Sequence, residues 1–181
     1  MNKQTLYTLN NIAPISQTLV QNGDETNFVV SHSHLIFALN VLKNHVNCQY
    51  SLLTSVSGVD LLSKSYRFCV VYELLSLVNN SRLRVKTYVN EVTPVNTATS
   101  VYSCANWWER EVWDMYGVFF QGHPDIRRIL TDYGFYGHPL RKDFPLSGFV
   151  ELRYDSAKKG IVMEPVQLAQ EYRSFSHEIQ W

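Results

Sequence analysis

The sequence is short of cysteine, of charge imbalance and of long apolar runs, and each shortage removes a class of function. The three cysteines, Cys48, Cys69 and Cys104, are odd in number and far apart. With no Cys-x-x-Cys, they offer neither a disulfide framework nor an ordinary iron–sulfur or zinc motif. Thiols used this way suit a reducing compartment and small core positions. Lys+Arg and Asp+Glu balance at 16 each, for a formal net charge of zero. A nucleic-acid binder normally carries a basic excess to replace phosphate counterions, so no nucleic-acid partner is expected. The longest apolar run, Arg67 to Asn79, is cut by Glu73 and is too short to span a bilayer, so no direct membrane span is expected. Met1-Asn2-Lys3-Gln4 opens neither a secretory signal nor the Arg-rich amphipathic pattern of a mitochondrial import signal.

What is present is apolar and aromatic. Of 181 residues, 45% are hydrophobic and 13% aromatic, enough for a core, and the length fits one compact domain plus an extension. A neutral chain this rich in Tyr and Trp is better suited to life inside an assembly than to staying soluble alone.

Leu6, Leu9, Ile12, Ile15 and Leu19, spaced by three and four, predict a helix over 1–20, interrupted near Pro14. Asn27–Val30 reads as a short strand. Ser31 or Ser33 then caps a helix that buries Leu35, Leu39 and Leu42. Tyr50 to Leu62 is β-rich, with Gly58 marking a bulge or turn. Tyr66–Val78 and Arg82–Val89 form a strand pair across the turn Asn79-Asn80-Ser81. In the second of these, Leu83, Val85, Thr87 and Val89 alternate with Arg82, Arg84, Lys86 and Tyr88. The expected fold is α+β: a small, mostly antiparallel sheet with helices on one side, followed by a long extended C-terminal arm. The expected division is a compact domain over 1–96, a connecting helix and turn over 97–121, and an arm and tail over 122–181.

Thr97 to Tyr116 reads as the connecting helix, with Val101, Ala105, Trp108, Val112 and Met115 on its buried stripe. Glu109, Arg110, Glu111 and Asp114 lie off that stripe. Arg110 and Asp114 stand one turn apart and are placed to pair, at about 0.3–0.5 kcal/mol if exposed. One or more of Trp107, Trp108 and Trp113 is expected at an interface. The composition then shifts, with six of the eight glycines between Gly117 and Gly160 and four of the six prolines between Pro124 and Pro165. So much Gly and Pro does not build a core, yet Phe135, Phe144, Tyr154 and Trp181 are too aromatic for ordinary disorder. The reading is an arm ordered by lying on other surfaces.

Within the arm, Gly122-His123-Pro124 returns as Gly137-His138-Pro139. Basic pairs follow each, Arg127-Arg128 and Arg141-Lys142. Two histidines near Asp125, Asp132 and Asp143 invite a metal or acid–base reading. Each His precedes a proline, which disfavours helical backbone, and no third ligand stands at a recognised spacing, so contact surface is the better reading. No Gly-rich phosphate loop and no serine elbow occur. Alternating cations and aspartates instead suit bidentate pairing with carboxylates.

The run Glu109-Arg110-Glu111-x-x-Asp114-Met115-Tyr116-Gly117-Val118, then Gly122-His123-Pro124-Asp125-Ile126-Arg127-Arg128-Ile129-Leu130, resembles the signature of the 30-kilodalton subunit family of respiratory complex I. Thr131-Asp132-Tyr133-Gly134-Phe135 and Gly137 through Gly148 continue the likeness. It grows patchier through Glu151, Arg153-Tyr154, Glu164-Pro165, Gln170 to Arg173, and Phe175.

The resemblance implies a non-catalytic structural subunit of the hydrophilic arm of NADH:ubiquinone oxidoreductase, with no cofactor in this chain. Iron–sulfur clusters, FMN and ubiquinone would belong to partner subunits. The implied partners are the quinone-site subunit of the 49-kilodalton type, the terminal-cluster subunit and the two-cluster ferredoxin-like subunit. The implied interface residues are Glu109, Arg110, Glu111, Asp114, Tyr116, His123, Asp125, Arg127, Arg128, His138, Arg141, Lys142 and Asp143. The implied location is the matrix side of the mitochondrial inner membrane, for a mitochondrially encoded chain, or the cytoplasmic face in a bacterium. The competing readings are an autonomous soluble enzyme using His123 or His138 with an acidic partner, and a regulatory binding module whose tail folds on binding.

Overall fold

The computed structural model describes residues 16–22, 25–173 and 175, in two compact units, Met1–Lys142 and Asp143–Trp181. The first is built on a five-stranded sheet of order β1-β2-β5-β4-β3, in which only β2 and β5 run parallel. The expected α+β class with a mostly antiparallel sheet is what the chain forms.

Strand β1 (Ser16–Asn22) pairs with β2 (Glu25–Val30), Leu19 opposite Phe28. The helix predicted over 1–20 is therefore wrong for residues 16–20, where the ladder with β2 overrides spacing by three and four. Residues 1–15 of that prediction lie outside the described residues. A 3-10 turn at His32–His34 follows β2, and neither Ser31 nor His34 makes a side-chain cap bond. The cap expected of Ser31 or Ser33 is replaced by a Ser31–Ser33 hydroxyl contact of 3.1 Å. Helix α1 (Leu35–Asn44) then buries Leu35, Ala38, Leu39 and Leu42, as its spacing predicts.

Strands β3 (Leu52–Asp60), β4 (Phe68–Ser76) and β5 (Ser81–Val89) form an antiparallel meander. Asn80, at φ 44°, closes the β4–β5 turn. Phe68, Val70, Tyr72 and Leu74 alternate inward on β4, opposite Leu83, Val85 and Val89 of β5. Each large apolar side chain buried this way contributes about 1.5–3 kcal/mol.

Gly58 marks neither the bulge nor the turn expected of it. The ladder slips earlier, between Leu53 and Ser55, and Gly58 sits in regular register opposite Val70. A Cβ there would lie 2.5 Å from Cδ2 of Tyr116. Glycine is needed because a tyrosine ring lies flat on the strand.

Helix α2 spans Ala105–Tyr116, starting eight residues later than predicted. The preceding residues serve elsewhere. Two-residue strands β6 (Val95–Asn96) and β7 (Phe120–Gln121) pair in parallel, and the Thr97 amide continues the ladder to the Gln121 carbonyl at 3.0 Å. The Thr97 hydroxyl meets the Thr99 hydroxyl at 2.9 Å and accepts the Thr99 amide at 3.2 Å, local bonding that competes with helix. Of the predicted buried stripe, Val101, Ala105, Val112 and Met115 are buried and Trp108 is not, while Glu109, Arg110 and Asp114, expected off the stripe, are buried too. In the second unit, β8 (Val150–Asp155) and β9 (Gly160–Pro165) form an antiparallel hairpin within the stretch that the sequence marks as an extended arm. Among the described residues no helix is long and apolar enough to cross a membrane.

Candidate functional site

The signature residues gather on α2 and on the turn-rich segment from Gly122 to Lys142, which the helix holds in place. A helix leaves its last four carbonyls without intrahelical partners. Here each has one. Trp113 O accepts the Gly117 amide at 2.8 Å, Asp114 O the His138 Nδ1–H at 3.0 Å, Met115 O the Leu140 amide at 3.1 Å, and Tyr116 O the Arg141 Nε–H at 2.7 Å. The guanidinium of Arg141 also lies where the helix dipole favours a cation.

Asp114 extends this grip from its side chain, which is wholly buried. Oδ2 accepts the amides of Ile129, Leu130 and Thr131 at 3.2, 2.8 and 3.0 Å, and Oδ1 accepts the Thr131 hydroxyl at 2.7 Å. Burial alone would raise its pKa, but these bonds to the charged form outweigh it and hold the carboxyl below its ordinary value. Arg128 Nη1 reaches Asp114 Oδ1 at 3.4 Å and donates to Gly137 O at 2.8 Å, closing the loop between the two Gly-His-Pro motifs. The pairing expected between Arg110 and Asp114 is not the arrangement found. Arg110 donates Nε–H to Arg127 O at 3.1 Å, with its guanidinium 5.1 Å from the centroid of exposed Trp107.

The repeat acquires a shared job. His123 Nδ1 accepts the Asp125 amide at 3.1 Å, leaving Nε2–H to donate to Asn106 O at 3.1 Å. His138 makes the same kind of bond to Asp114 O, eight residues and about 12 Å further along the helix. One histidine is fastened near each end of α2, a separation unsuited to a common metal. Burial depresses the His138 pKa, with Arg141 and Arg128 pushing the same way against the Asp114 carbonyl. At neutral pH its ring is uncharged. Among the described residues no three His, Cys, Asp or Glu side chains come together as a metal-holding group.

Glu109 is a second buried carboxyl. Oε1 accepts the Ala98 amide at 2.7 Å and Oε2 the Thr97 hydroxyl at 2.5 Å, while His123 Nε2 is 3.9 Å away. Burial raises its pKa to about 7, opposed by those two bonds. From an unfolded value near 4.5, that rise makes the charged form a growing liability as pH climbs from about 4.5 to about 7, worth about 3 kcal/mol at saturation. Glu109→Gln keeps one acceptor for Ala98 and gains a donor for Thr97. Thermal denaturation across this window should show parent stability falling relative to the variant as pH rises. Parallel profiles would show that Glu109 is not the titrating group.

The far end of the clamp reaches the sheet. Asp60 Oδ2 accepts the Lys142 amide at 2.8 Å and, with Oδ1, takes Arg67 as a bidentate partner at 2.9 and 2.8 Å. Arg67 chiefly, aided by Lys142, holds the Asp60 pKa low despite burial. Arg67 also bonds Glu91 at 2.6 Å. Sequence reasoning does not find Asp60, Arg67, Glu91, Thr97 or Thr131. A signal exists for Asp60, which follows Val56 and Gly58 on the buried parity of β3.

Of the thirteen residues picked out from the sequence, Glu109, Arg110, Asp114, Tyr116, His123, Arg128, His138 and Arg141 take part in this internal framework. Asp125 and Arg127 pair with each other at 3.0 Å on the surface, where such a contact is worth little. Glu111 is half-buried, and Lys142 and Asp143 present exposed side chains. On the same segment stand large apolar groups in water, including Tyr133 at 99% and Tyr136 at 87% exposure. The arrangement positions a segment and displays aromatic surface; it assembles no nucleophile with a base.

Residues 28–150 match the family model described as respiratory-chain NADH dehydrogenase, 30 Kd subunit. The chain is 50% identical to NADH-ubiquinone oxidoreductase subunit 9 of Reclinomonas americana, over 92% of this chain and 81% of that protein. It is 52% identical to the protein of the same name from Prototheca wickerhamii, over 90% and 84%. It is 53% identical to NADH dehydrogenase [ubiquinone] iron-sulfur protein 3, mitochondrial, of Candida albicans, over 84% of this chain and 55% of that one. Its fold is similar to a chain in the membrane-bound sulfane sulfur reductase, an archaeal respiratory membrane complex, with TM-score 0.65 and 26% identity over 78% of this chain and 84% of that one.

Proposed function

The chain belongs to the respiratory-chain NADH dehydrogenase 30 Kd subunit family, and on that premise we propose that it works in complex I as a clamp-and-display subunit. It is a structural member of the hydrophilic arm, while the complex as a whole carries out NADH:ubiquinone reduction. The observation that carries this reading is the use of the signature's ionisable groups. They fasten residues 122–142 to α2 and leave Leu130, Tyr133 and Tyr136 facing outward. Tyrosines held on a fixed backbone are the residues that interfaces favour as anchors.

In this role residues 1–96 form the outer body, 97–121 the connector, and 122–181 the arm laid on neighbouring subunits. The partners are the 49-kilodalton quinone-site type, the terminal-cluster subunit and the two-cluster ferredoxin-like subunit. The iron–sulfur clusters, FMN and ubiquinone belong to partner subunits. The mitochondrial relatives support a mitochondrial location, and we place the chain peripherally on the matrix side of the inner membrane, encoded within the organelle. That a similar fold serves an archaeal complex with a different reductase name supports a scaffolding role over one tied to a particular substrate.

The test is purification through a tag on this chain. Complex I should copurify with NADH:ubiquinone activity, and the isolated chain should have none. Turnover by the chain alone, or a purification without other complex I subunits, would overturn the reading.

A further inference from the structure

The hairpin of the second unit is two-faced. Along β8, Val150, Leu152 and Tyr154 alternate with Glu151, Arg153 and Asp155. Along β9, Ile161, Met163 and Pro165 alternate with Gly160, Val162 and Glu164. The register sets Val150 opposite Pro165, Leu152 opposite Met163, and Tyr154 opposite Ile161. Directly paired residues of an antiparallel ladder share a face. All six apolar residues therefore lie on one side, and Glu151, Arg153 and Glu164 on the other.

The apolar side is open along both strands. Val150, Leu152, Tyr154, Ile161 and Met163 are 49–74% exposed, and on β9 the alternate positions Val162 and Glu164 are only partly so. The polar side is satisfied within the chain, where Arg153 grips Glu164 as a fork at 3.1 and 2.7 Å. A two-stranded ribbon by itself is marginal in water. Such a face is the signature of a surface that expects cover.

We infer that this face docks an uncharged, apolar strip on another subunit of complex I. The inference rests on the family reading above, but the hairpin begins at residue 150, where the family match ends. The absence of charge on the face sets the chemistry of its partner, because a cation or carboxylate buried against these six side chains would find no counterion. Size argues against a second copy of this chain. Six half-exposed side chains on a face roughly 14 Å by 10 Å fall well short of the roughly 800 Å² per partner of a free-standing complex. The face suits a neighbour already held by the rest of the subunit.

Site-specific photo-cross-linking in assembled complex I tests this directly. p-Benzoylphenylalanine is placed at Met163 or, separately, at Val162, in a chain supplied to complex I that lacks its own copy. Adducts to another subunit from position 163, with none from 162, are the expected result. Equal adducts from both positions would mean pairing along a ribbon edge and would overturn the inference. So would an adduct to a second copy, or none from 163 in a complex that retains the chain. A chain absent from the complex even without the cross-linker would instead sink the family-based function. As a second readout, Leu152→Asn, which changes the face directly opposite Met163, should lower the adduct yield from position 163, while Arg153→Ala should not. An undiminished yield from the Leu152→Asn chain counts against docking.

Discussion

Asp114→Ala is expected to free residues 128–131 from α2 and to lower the stability of the chain by about 3–5 kcal/mol. The side chain is fully buried and accepts three consecutive amides, at 3.2, 2.8 and 3.0 Å, as well as the Thr131 hydroxyl. Alanine leaves these donors, and Arg128 beside them, with no anion to face. Asp114→Asn should lose less, because its one oxygen keeps the three amides and its amide N–H faces the Thr131 hydroxyl, which can accept it, but the anion beside Arg128 is gone. The sign with pH follows from the lowered carboxyl pKa. Its stabilisation is complete above the ordinary aspartate value and disappears as pH falls through the lower folded one. Parent and variant should therefore converge only in strong acid. Chemical denaturation, with limited proteolysis between residues 122 and 142, measures both effects. An Asp114→Ala chain as stable and as protease-resistant as the parent would show that the clamp is not held there.

Gly117→Ala ranks next. The residue ends α2 at φ 77°, a conformation costing a side-chain-bearing residue about 1–2 kcal/mol. An added Cβ would also sit 2.6 Å from His138 Nε2 and 2.7 Å from an Arg141 terminal nitrogen. Those side chains cap the Asp114 and Tyr116 carbonyls. Displacing them sacrifices roughly a further 1 kcal/mol per hydrogen bond. Gly134 is the control, since it has φ 72° and a methyl group added there would meet nothing within 4 Å. Gly134→Ala carries the backbone strain alone, so Gly117→Ala should have the lower melting temperature, by about 2–4 °C for each extra kcal/mol. Equal melting temperatures would mean that His138 and Arg141 give way at no cost.

The parts of the fold legible from sequence are those in which periodicity and burial agree. The β4–β5 pair, with Leu83, Val85 and Val89 inward, and α1, with Leu35, Leu39 and Leu42 inward, follow from spacing alone. Helix α2 is harder because it is covered on more than one side. Its charged residues are buried against the arm, and no apolar period announces a face made of Arg110 and Asp114. The hairpin escapes for the opposite reason. Its alternation is present in Val150, Leu152 and Tyr154, but the surrounding Gly and Pro point only to an extended arm. The Gly-His-Pro repeat stands out in the sequence, while its purpose does not. The acceptors are the Asn106 and Asp114 carbonyls, and backbone acceptors leave no mark on residue identity.

The short parallel ladder joining β6 to β7 has a consequence for how this subunit tolerates change. Val95 and Phe120 are neighbours, so the chain departs from the body and rejoins it at one place, with α2 as the detour between. The origin of the arm is thereby referenced to the core, where Val95 and Phe120 are buried, and its heading to the end of the helix through His138, Leu140 and Arg141. An insertion within the detour would turn the arm without translating its root. A lesion in the ladder would move the root and spare the heading. Faults in the two would then leave different fingerprints in a partly assembled complex, one a rotation and the other a displacement.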